Sequence, residues 1–357
     1  MRVKLEDVCE RGSSSLRQSD VEGRSGDYPI FGAAGYIGNV DFYHQERPYV
    51  AVVKDGAGIG RTTLLPAKSS VIGTMQYLLP KDNVLPEYLC YAVRYMHLEK
   101  YFSGATIPHI YFKDYKNEEF NLYDLEYQAE VVGVLGRIER IMEARQQELS
   151  SLDDLIKARF VEMFGENSSE TVPLKECCMD VRGGGTPSMQ HPEYYGGSVP
   201  FIKSGDVRGD TVMSGALWLS NKALSETTAK YVPTGSVLVV NRSAALLKEF
   251  RAAIAGQPVV INQDIKAFVP KPEFTSQYLL WAIKTQTQYI LTKVTTVLTS
   301  HIDLKDLLDL RIVAASIECQ NAFSSFVEQI DKSKSVIQKS LDETQLLFNS
   351  LMQKYFG

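Results

Sequence analysis

The sequence lacks the features that mark membrane-spanning, secreted and metal-binding chains. No stretch of its 357 residues stays apolar and uncharged for the length that a membrane span needs. The first ten residues alternate charged with apolar side chains and form no signal-peptide core. The five cysteines show no metal-ligand spacing and two are adjacent, which disfavours a disulfide; they are Cys9, Cys90, Cys177, Cys178 and Cys319. Reduced thiols in a cytoplasmic protein are therefore expected.

A strong excess of basic residues is also missing. The formal net charge is −5, from 38 Lys and Arg against 43 Asp and Glu. Residues 1–125 carry net −2, residues 126–165 net −3, residues 166–317 net +1 and residues 318–357 net −1. No segment is basic enough for strong non-specific binding to nucleic acid by this chain alone. Any reading of DNA must then come from local basic loops, helped by partner proteins.

Catalytic signatures are absent as well. We find no Asn/Asp-Pro-Pro-aromatic loop or glycine-rich S-adenosylmethionine site, no carboxylate–lysine nuclease pattern and no Walker loop. The glycine-rich stretch at 55–61 lacks the Lys-Ser/Thr of a phosphate loop, so a tight turn presenting Lys54 and Arg61 is expected. The recurring His109 and His301 are expected to have a structural role. The chain is thus predicted not to be an enzyme itself.

What the chain does contain is an internal repeat. From residue 109 to residue 165, identical residues recur 192 positions later without a gap: His109 and His301, Ile110 and Ile302, Lys113 and Lys305, Gln128 and Gln320, Phe164 and Phe356. Upstream, Tyr88 and Tyr278 match at an offset of 190, and Val3 and Val172 at 169. The chain therefore consists of two duplicated halves whose N-terminal parts differ in length.

Each half ends in a long heptad pattern without proline. Seam positions alternate in spacings of three and four from 128 to 163, and again from 320 to 355. The apolar seam residues are Leu135, Ile138, Met142, Leu149, Leu152, Ile156, Val327, Ile330, Ile337, Leu341, Phe348 and Leu351. Each helix would have roughly 38 residues and a length of about 57 Å at 1.5 Å per residue.

Neither helix can bury such a seam alone. Because two equal halves supply them, we expect the helices to pack on each other antiparallel, related by a pseudo-twofold axis. The alternative is that each seam packs on its own domain. Arg145, Arg159 and Lys334 interrupt the seam, and either set its register or mark where partner subunits dock.

The parts before the helices combine short β-rich runs with turns and one helical stretch each, at 87–101 and 276–294. We interpret each as a small α/β or α+β globule with long loops. The predicted domains are residues 1–125, a helix at 126–165, residues 166–317 and a helix at 318–357.

Four stretches resemble a known family. Residues 184–187 (Gly-Gly-Thr-Pro) through 194–202, together with 261–265 (Ile-Asn-Gln-Asp-Ile), are similar to one class of target recognition domain. Residues 28–38 resemble the start of another class, and residues 155–165 the end of a central conserved helix. In this duplicated order, from Val3 to Gly357, the chain resembles the specificity subunits of Type I restriction–modification systems.

The resemblance implies two target recognition domains separated by a pair of antiparallel coiled-coil helices. It implies a non-catalytic subunit that binds double-stranded DNA at a bipartite site, two methyltransferase subunits and, where present, restriction subunits. S-adenosylmethionine, ATP and magnesium would be bound by partners, and no cofactor by this chain.

The two halves also differ from each other. Residues 73–75 (Gly-Thr-Met) stand where the second half has 262–264 (Asn-Gln-Asp), and residues 241–251 replace the glycine turn at 56–60.

Basic, amide and tyrosine side chains in the turn-rich loops are the candidate DNA contacts, although for any one of them a solvated surface position is an equal alternative. They are Tyr36, Asn39, Arg47, Lys54, Arg61, Arg182, Lys203, Arg208, Asn241, Arg242, Lys248 and Arg251.

A coiled-coil interaction scaffold without DNA specificity is the alternative function. It explains the heptads but not the duplicated loops.

Overall fold

The computed structural model describes residues 1–104, 108–165, 170–296 and 299–357. Its two long helices, α5 (Leu125–Phe164) and α11 (Ile317–Phe356), have 40 residues each. Contacts divide the chain into two compact units, Met1–Gln147 with Gln338–Gly357, and Glu148–Ile337. Each unit therefore contains a globular part and a portion of each long helix.

The globular part of the first unit combines sheets with short helices. Its strands are β1 (Arg2–Lys4), β2 (Cys9–Ser13), β3 (Tyr28–Gly32), β4 (Gly35–Val40), β5 (Tyr49–Val53), β6 (Thr62–Leu65), β7 (Ser70–Val71), β8 (Met75–Pro80) and β9 (Glu119–Asn121). Its helices are α1 (Leu5–Val8), α2 (Gln18–Val21), α3 (Pro86–Tyr95) and α4 (Phe112–Tyr115), with a 3₁₀ turn at Leu98–Tyr101.

Strand β5 lies inside the main sheet of this unit, whose order is β2-β8-β5-β6; a second sheet has the order β4-β3-β7, and β1 pairs with β9. All five residues of β5 are buried because both of its faces are covered. Val50 packs in the core that contains Tyr88 of α3, whereas Ala51 on the opposite face packs with Val71. This explains why β5 is uniformly apolar rather than alternating.

Both long helices contribute to the core of the first unit. Val131 and Leu135 of α5 are buried in the same cluster as Met352 and Phe356 of α11. The ring of Phe356 lies 4.9 Å from that of Tyr88. In this unit the seam of α5 is therefore covered by its own globular part and by the end of α11 together.

The second unit repeats this plan with additional strands. Its strands are β10 (Thr171–Pro173), β11 (Cys178–Gly183), β12 (Tyr195–Ile202), β13 (Thr211–Val212), β14 (Leu217–Leu219), β15 (Tyr231–Val232), β16 (Val237–Val240), β17 (Ala252–Ala255), β18 (Val259–Ile261), β19 (Ile265–Pro270), β20 (Thr295–Thr296), β21 (Ser300–His301) and β22 (Arg311–Val313). Its helices are α6 (Leu174–Cys177), α7 (Asn221–Glu226), α8 (Ser276–Lys284), α9 (Thr287–Thr292) and α10 (Leu304–Leu308), with a 3₁₀ turn at Pro192–Tyr194.

The sheets of the second unit have the orders β11-β19-β16-β17-β13 and β14-β12-β18-β15. The first four strands of the former correspond to β2-β8-β5-β6, and β14-β12-β18 correspond to β4-β3-β7. Within these two sheets β13 and β15 are additional, each at the end of its sheet; β10 pairs with β22, as β1 does with β9, and β20 pairs with β21. The longer second globular part thus extends both shared sheets at an edge, while the order of the strands common to the two parts is unchanged.

The two long helices run antiparallel where they meet in the second unit. The ring of Phe160 lies 5.3 Å from that of Phe323, and the Arg159 guanidinium lies over the ring of Phe326. Seven residues before Phe160, Asp153 forms an ion pair with Lys334, which is eleven residues after Phe323. The prediction of a mixed α/β fold with duplicated halves and two long antiparallel helices is thus confirmed.

The repeated glutamines anchor the start of each long helix in the same way. Gln128 Oε1 accepts a hydrogen bond from the backbone N–H of Leu85 at 2.9 Å, and Gln320 Oε1 accepts one from Thr275 at 2.9 Å. Both glutamines are fully buried. The twelve apolar seam residues named above are all buried or half-buried.

Two helix predictions need correction. The stretch 87–101 is interrupted after α3 by His97, whose φ of 52° is left-handed and ends the α-helix. The stretch 276–294 consists of α8 and α9, separated by the non-helical Gln286. Within the described residues, no helix is both long and apolar enough to cross a membrane.

Candidate nucleic-acid interface

Two of the family-like motifs meet in the second unit. The backbone N–H of Gly185 donates to the carbonyl of Ile261 at 3.1 Å, and the Thr186 hydroxyl bonds to the side chain of Gln263. A Cβ on Gly184 would overlap the carbonyl oxygens of Ile261 and Asn262. Gly184 is thus required by close backbone packing between the motifs.

The turn at 262–264 also holds the residues that follow β16. The backbone N–H groups of Asn241 and Arg242 both donate to the carbonyl of Asp264, at 2.9 and 3.3 Å. Asn241 in turn accepts a bond from the N–H of Ile302 at 2.8 Å. Because its side chain is buried and donates to Ile302 at 3.4 Å, Asn241 supports the loop rather than facing solvent.

The first unit has the same hydrogen-bond pattern. The N–H groups of Lys54 and Asp55 both donate to the carbonyl of Thr74, at 3.0 and 3.3 Å, and the N–H of Ile110 donates to Lys54 at 3.0 Å. Lys54 is therefore equivalent to Asn241, and Asp55 to Arg242. Thr74 is equivalent to Asp264, so the sequence alignment of residues 73–75 with 262–264 is wrong by one position.

Arg61 and Arg251 are equivalent too, although the loops before them differ in length. The Arg61 carbonyl accepts a bond from Val53 at 2.9 Å, and the Arg251 carbonyl accepts one from Val240 at 3.0 Å. The Arg61 guanidinium donates to the carbonyl of Ala33 at 3.1 Å, and that of Arg251 to the carbonyl of Ser204 at 3.5 Å. Each arginine thus connects its loop to the backbone that follows an equivalent strand, β3 or β12.

Most candidates of the second half lie on two adjoining loops. Arg251 joins the loop after β16 to the loop at 203–210, on which Lys203 and Arg208 are exposed. Arg242 and Lys248 are exposed on the first of these loops. The Arg251 side chain is only 20% exposed, and its ion pair with Glu249 at 2.6 Å lowers the pKa of that carboxyl group.

Arg182 is engaged elsewhere in the second unit. Its guanidinium pairs with Asp180 at 2.7 Å and donates to the carbonyl of Tyr231 at 2.8 Å. The hydrogen bond from Arg182 lowers the pKa of Asp180. These contacts bind Arg182 to its own strand β11 and to β15 of the neighbouring sheet.

The candidates of the first half are less closely grouped. Tyr36 is exposed near the β3–β4 turn that Arg61 contacts, and its hydroxyl donates to Asn39 at 3.0 Å. Lys54 lies 3.7 Å from Asp55 and is mostly covered, so the turn does not present it outward as predicted. Arg47 precedes β5 whereas Lys54 follows it, which places Arg47 at the opposite end of that strand.

Three residues near this surface were not among the candidates: Asp55, His109 and His301. Asp55 forms an ion pair with His109, and isolated β-bridges join Asp55 to His109 and Arg242 to His301. The repetition of His109 and His301 was the one sign in the sequence that these positions matter. The residues opposite them, Asp55 and Arg242, could be identified only from the structure. The described residues contain no group of three or more His, Cys, Asp or Glu side chains placed to hold a metal ion.

Comparison with known proteins defines the class. The family model for the Type I restriction modification DNA specificity domain matches residues 1–151 and 167–344. The chain therefore belongs to this family.

Two curated relatives match over part of their length. The specificity subunit of the Type I restriction enzyme EcoR124I/EcoR124II from Escherichia coli is 29% identical over 162 residues, 44% of this chain and 40% of the relative. The MjaIX specificity subunit from Methanocaldococcus jannaschii is 32% identical over 111 residues, 30% of this chain and 25% of the relative. The matched part of the chain thus spans less than half of either relative.

Solved structures share the fold over nearly the whole chain. The S subunit of a Type I restriction–modification system from M. genitalium is similar with a TM-score of 0.57 at 13% identity, covering 100% of this chain and 96% of that one. A chain from a study of complex assembly and conformational transition of the type I R-M system has a TM-score of 0.55 at 16% identity, covering 99% and 97%. At these identities the likeness establishes the fold alone.

Proposed function

We propose that this chain is the non-catalytic DNA-sequence-specificity subunit of a Type I restriction–modification complex. Each globular part would be a target recognition domain that reads one part of a split, asymmetric DNA site. Family membership over both halves supports this proposal, because it assigns a specificity domain to each.

The observation that carries the proposal is a common framework with unlike loops. The residues after β5 and after β16 are held by the same backbone hydrogen bonds, yet one loop has Lys54 and Asp55 where the other has Asn241 and Arg242. Direct reading of bases depends on which donors and acceptors the side chains present. Two such frameworks with different loops are what reading two different half-sites requires.

The helices would serve two purposes. A rigid helical connection would fix the number of base pairs between the two half-sites, as the geometry of a dimer does in simpler DNA-binding proteins. It would also make binding of the second domain intramolecular once the first has bound. The same helices would dock two methyltransferase subunits, with restriction subunits able to join the complex. S-adenosylmethionine, ATP and magnesium would then be bound by partners in the cytoplasm, and this chain would bind no cofactor.

Mapping modified adenines across the genome tests the proposal. A host carrying the partner genes is compared with and without this chain, and a split motif that disappears with the chain is expected. A second assay measures DNA methylation by the purified chain alone and with its methyltransferase subunit. Activity only with the partner supports the specificity subunit, activity alone would indicate an enzyme, and none with any partner would favour a coiled-coil scaffold.

A further inference from the structure

Residues 55 and 242 occupy the same place in the two halves and carry opposite charges. Their N–H groups donate to equivalent carbonyls, those of Thr74 and Asp264, and each forms an isolated bridge to a repeated histidine. We propose that these are equivalent base-reading positions, Arg242 a donor to guanine and Asp55 an acceptor from the amino group of cytosine or adenine. This inference rests on the proposed function. It adds the kind of base group, acceptor or donor, that each half would read.

Arg242 is suited to the donor role. Its backbone is fixed by two hydrogen bonds. The N–H of Arg242 donates to the carbonyl of Asp264, and the N–H of Ser243 donates to the carbonyl of Ser300 at 3.1 Å. The residue is exposed, and among the described residues its guanidinium has no hydrogen-bond or ion-pair partner. A fixed backbone with an unoccupied guanidinium matches the bidentate contact that arginine makes to O6 and N7 of guanine in the major groove.

Asp55 is suited to the acceptor role. Its side chain is 26% exposed and lies between His109 and Lys54, whose ammonium is 3.7 Å away. An isolated carboxylate facing DNA is repelled by the phosphates, but a cation beside it offsets that repulsion. A carboxylate held in this way can still accept a hydrogen bond from N4 of cytosine or N6 of adenine.

The histidines show that the side chain at this position organises its surroundings. His109 contacts the Asp55 carboxylate, whereas His301 bonds through Nε2 to the Thr295 hydroxyl at 3.1 Å. The backbone relation is the same in both halves, but Arg242 offers no carboxylate, and His301 lies 3.7 Å from the carboxylate of Asp303 instead. His109 is thus a positioning residue for Asp55.

The inference is tested in a host that has the partner subunits and lacks its own copy of this chain. The chain is supplied as wild type, Arg242→Gln, Arg242→Lys, Asp55→Asn or His109→Gln, and modified adenines are mapped genome-wide. Arg242→Gln should relax one base position of one half-site, with discrimination there falling roughly 10- to 100-fold. Asp55→Asn should alter one position of the other half-site, and His109→Gln the same position.

Matched controls come from exposed charged residues in ion pairs of the same halves. Asp41 pairs with Arg24 at 3.6 Å and Lys222 with Glu193 at 3.6 Å. Asp41→Asn and Lys222→Gln should leave the wild-type motif in place. If the wild-type chain itself restores no motif, the proposed function fails. If it restores one that Arg242→Gln and Asp55→Asn leave unchanged, only the present inference fails.

A variant that abolishes modification is resolved by binding measurements on the purified complex. DNA duplexes in which each base pair of the site is replaced in turn are compared for wild type and variant. A loss of discrimination confined to one position supports base reading. Equal weakening on every duplex, with full recovery in Arg242→Lys, would show that Arg242 contacts a phosphate and overturn the assignment.

Discussion

Lys334 donates a hydrogen bond to Asp210 at 3.2 Å, and this bond links a seam position of α11 to the loop before β13. The Lys334 ammonium also pairs with Asp153 of α5, and Lys284 of α8 pairs with the same Asp210. The Lys334 and Asp210 side chains are only 18% and 11% exposed. The interruption of the heptad at 334 is therefore a cluster of ion pairs that joins both long helices to the globular part of the second unit.

We expect Asp210→Ala to destabilise the chain more than Lys334→Met. Removing the shared carboxylate leaves Lys284 and Lys334 close together in a poorly hydrated place, at a cost of about 2–4 kcal/mol. Lys334→Met leaves Asp210 paired with Lys284 and adds an apolar residue to the seam, so about 1 kcal/mol is expected.

Thermal and urea unfolding of the purified variants measure this order. Lys339→Met is the matched control, since Lys339 also lies on α11 but its side chain is 80% exposed and its pair with Glu343 spans 4.0 Å. Exposed pairs of this kind contribute little. Equal effects of Asp210→Ala and Lys339→Met would contradict the ranking.

The same cluster predicts a pH dependence. Burial alone would raise the pKa of Asp210, but Lys284 and Lys334 outweigh it and hold this pKa below its ordinary value of 3.8. The stabilisation is therefore complete above pH 3.8 and is lost as the pH falls through the lowered pKa. The difference in unfolding free energy between wild type and Asp210→Asn should be constant near neutral pH and shrink in acid below that value. A difference that grows on acidification would show that the pKa of Asp210 is raised rather than lowered in the folded protein.

Arg61→Ala and Arg251→Ala should loosen their loops without changing which bases are read. Each arginine connects its loop to a backbone carbonyl, of Ala33 or Ser204. Loss of one such bond costs about 1 kcal/mol, so local opening should increase roughly fivefold. Hydrogen exchange of residues 203–206 and 241–250 measures the effect of Arg251→Ala.

Arg242→Ala provides the control for that experiment. Its guanidinium has no partner within the described part of the chain, so exchange in the two loops should stay at the wild-type rate. Modification mapping should show an unchanged motif at lower occupancy for Arg251→Ala. A changed base preference in Arg251→Ala would mean that Arg251 itself reads the DNA.

Much of the architecture was predictable because it depends on periodic and repeated residues. The long helices follow from the heptads, and the repeated Gln128 and Gln320 mark the same anchoring contact in both halves. The loop register was not predictable. The equivalent pairs Asp55/Arg242 and Arg61/Arg251 have different offsets, because the second loop is longer, and only backbone hydrogen bonds reveal the equivalence.

The roles of individual arginines were also beyond the sequence. Arg251 and Arg242 are both basic residues of one loop, yet the first is bonded to Ser204, 47 positions away, and the second is exposed. Charge and turn composition cannot separate these cases, since the partner of Arg251 is a backbone carbonyl that any residue could supply. A guanidinium that stabilises a loop and one that faces a ligand therefore look alike before folding.

Gly184→Ala should damage the recognition surface, whereas Gly205→Ala should not. A Cβ at 184 would overlap the carbonyls of Ile261 and Asn262, while a Cβ at 205 has open space around it. Forcing these motifs apart should cost roughly 1–3 kcal/mol and lower the affinity of the complex for its DNA. Melting temperature and site affinity are measured for both variants. Equal tolerance of the two substitutions would show that the close packing at 184 is not required.

A paired heptad deletion tests whether the helices set the spacer. Removing residues 146–152 of α5 and residues 336–342 of α11 preserves the heptad phase of both and shortens each by about 10.5 Å at 1.5 Å per residue. DNA rises about 3.4 Å per base pair, so the unread spacer should shorten by about three base pairs. Deleting residues 146–152 alone leaves seams of unequal length and should abolish modification or alter the spacer. An unchanged spacer at full activity in the paired deletion would mean that the helices do not determine the distance between the half-sites.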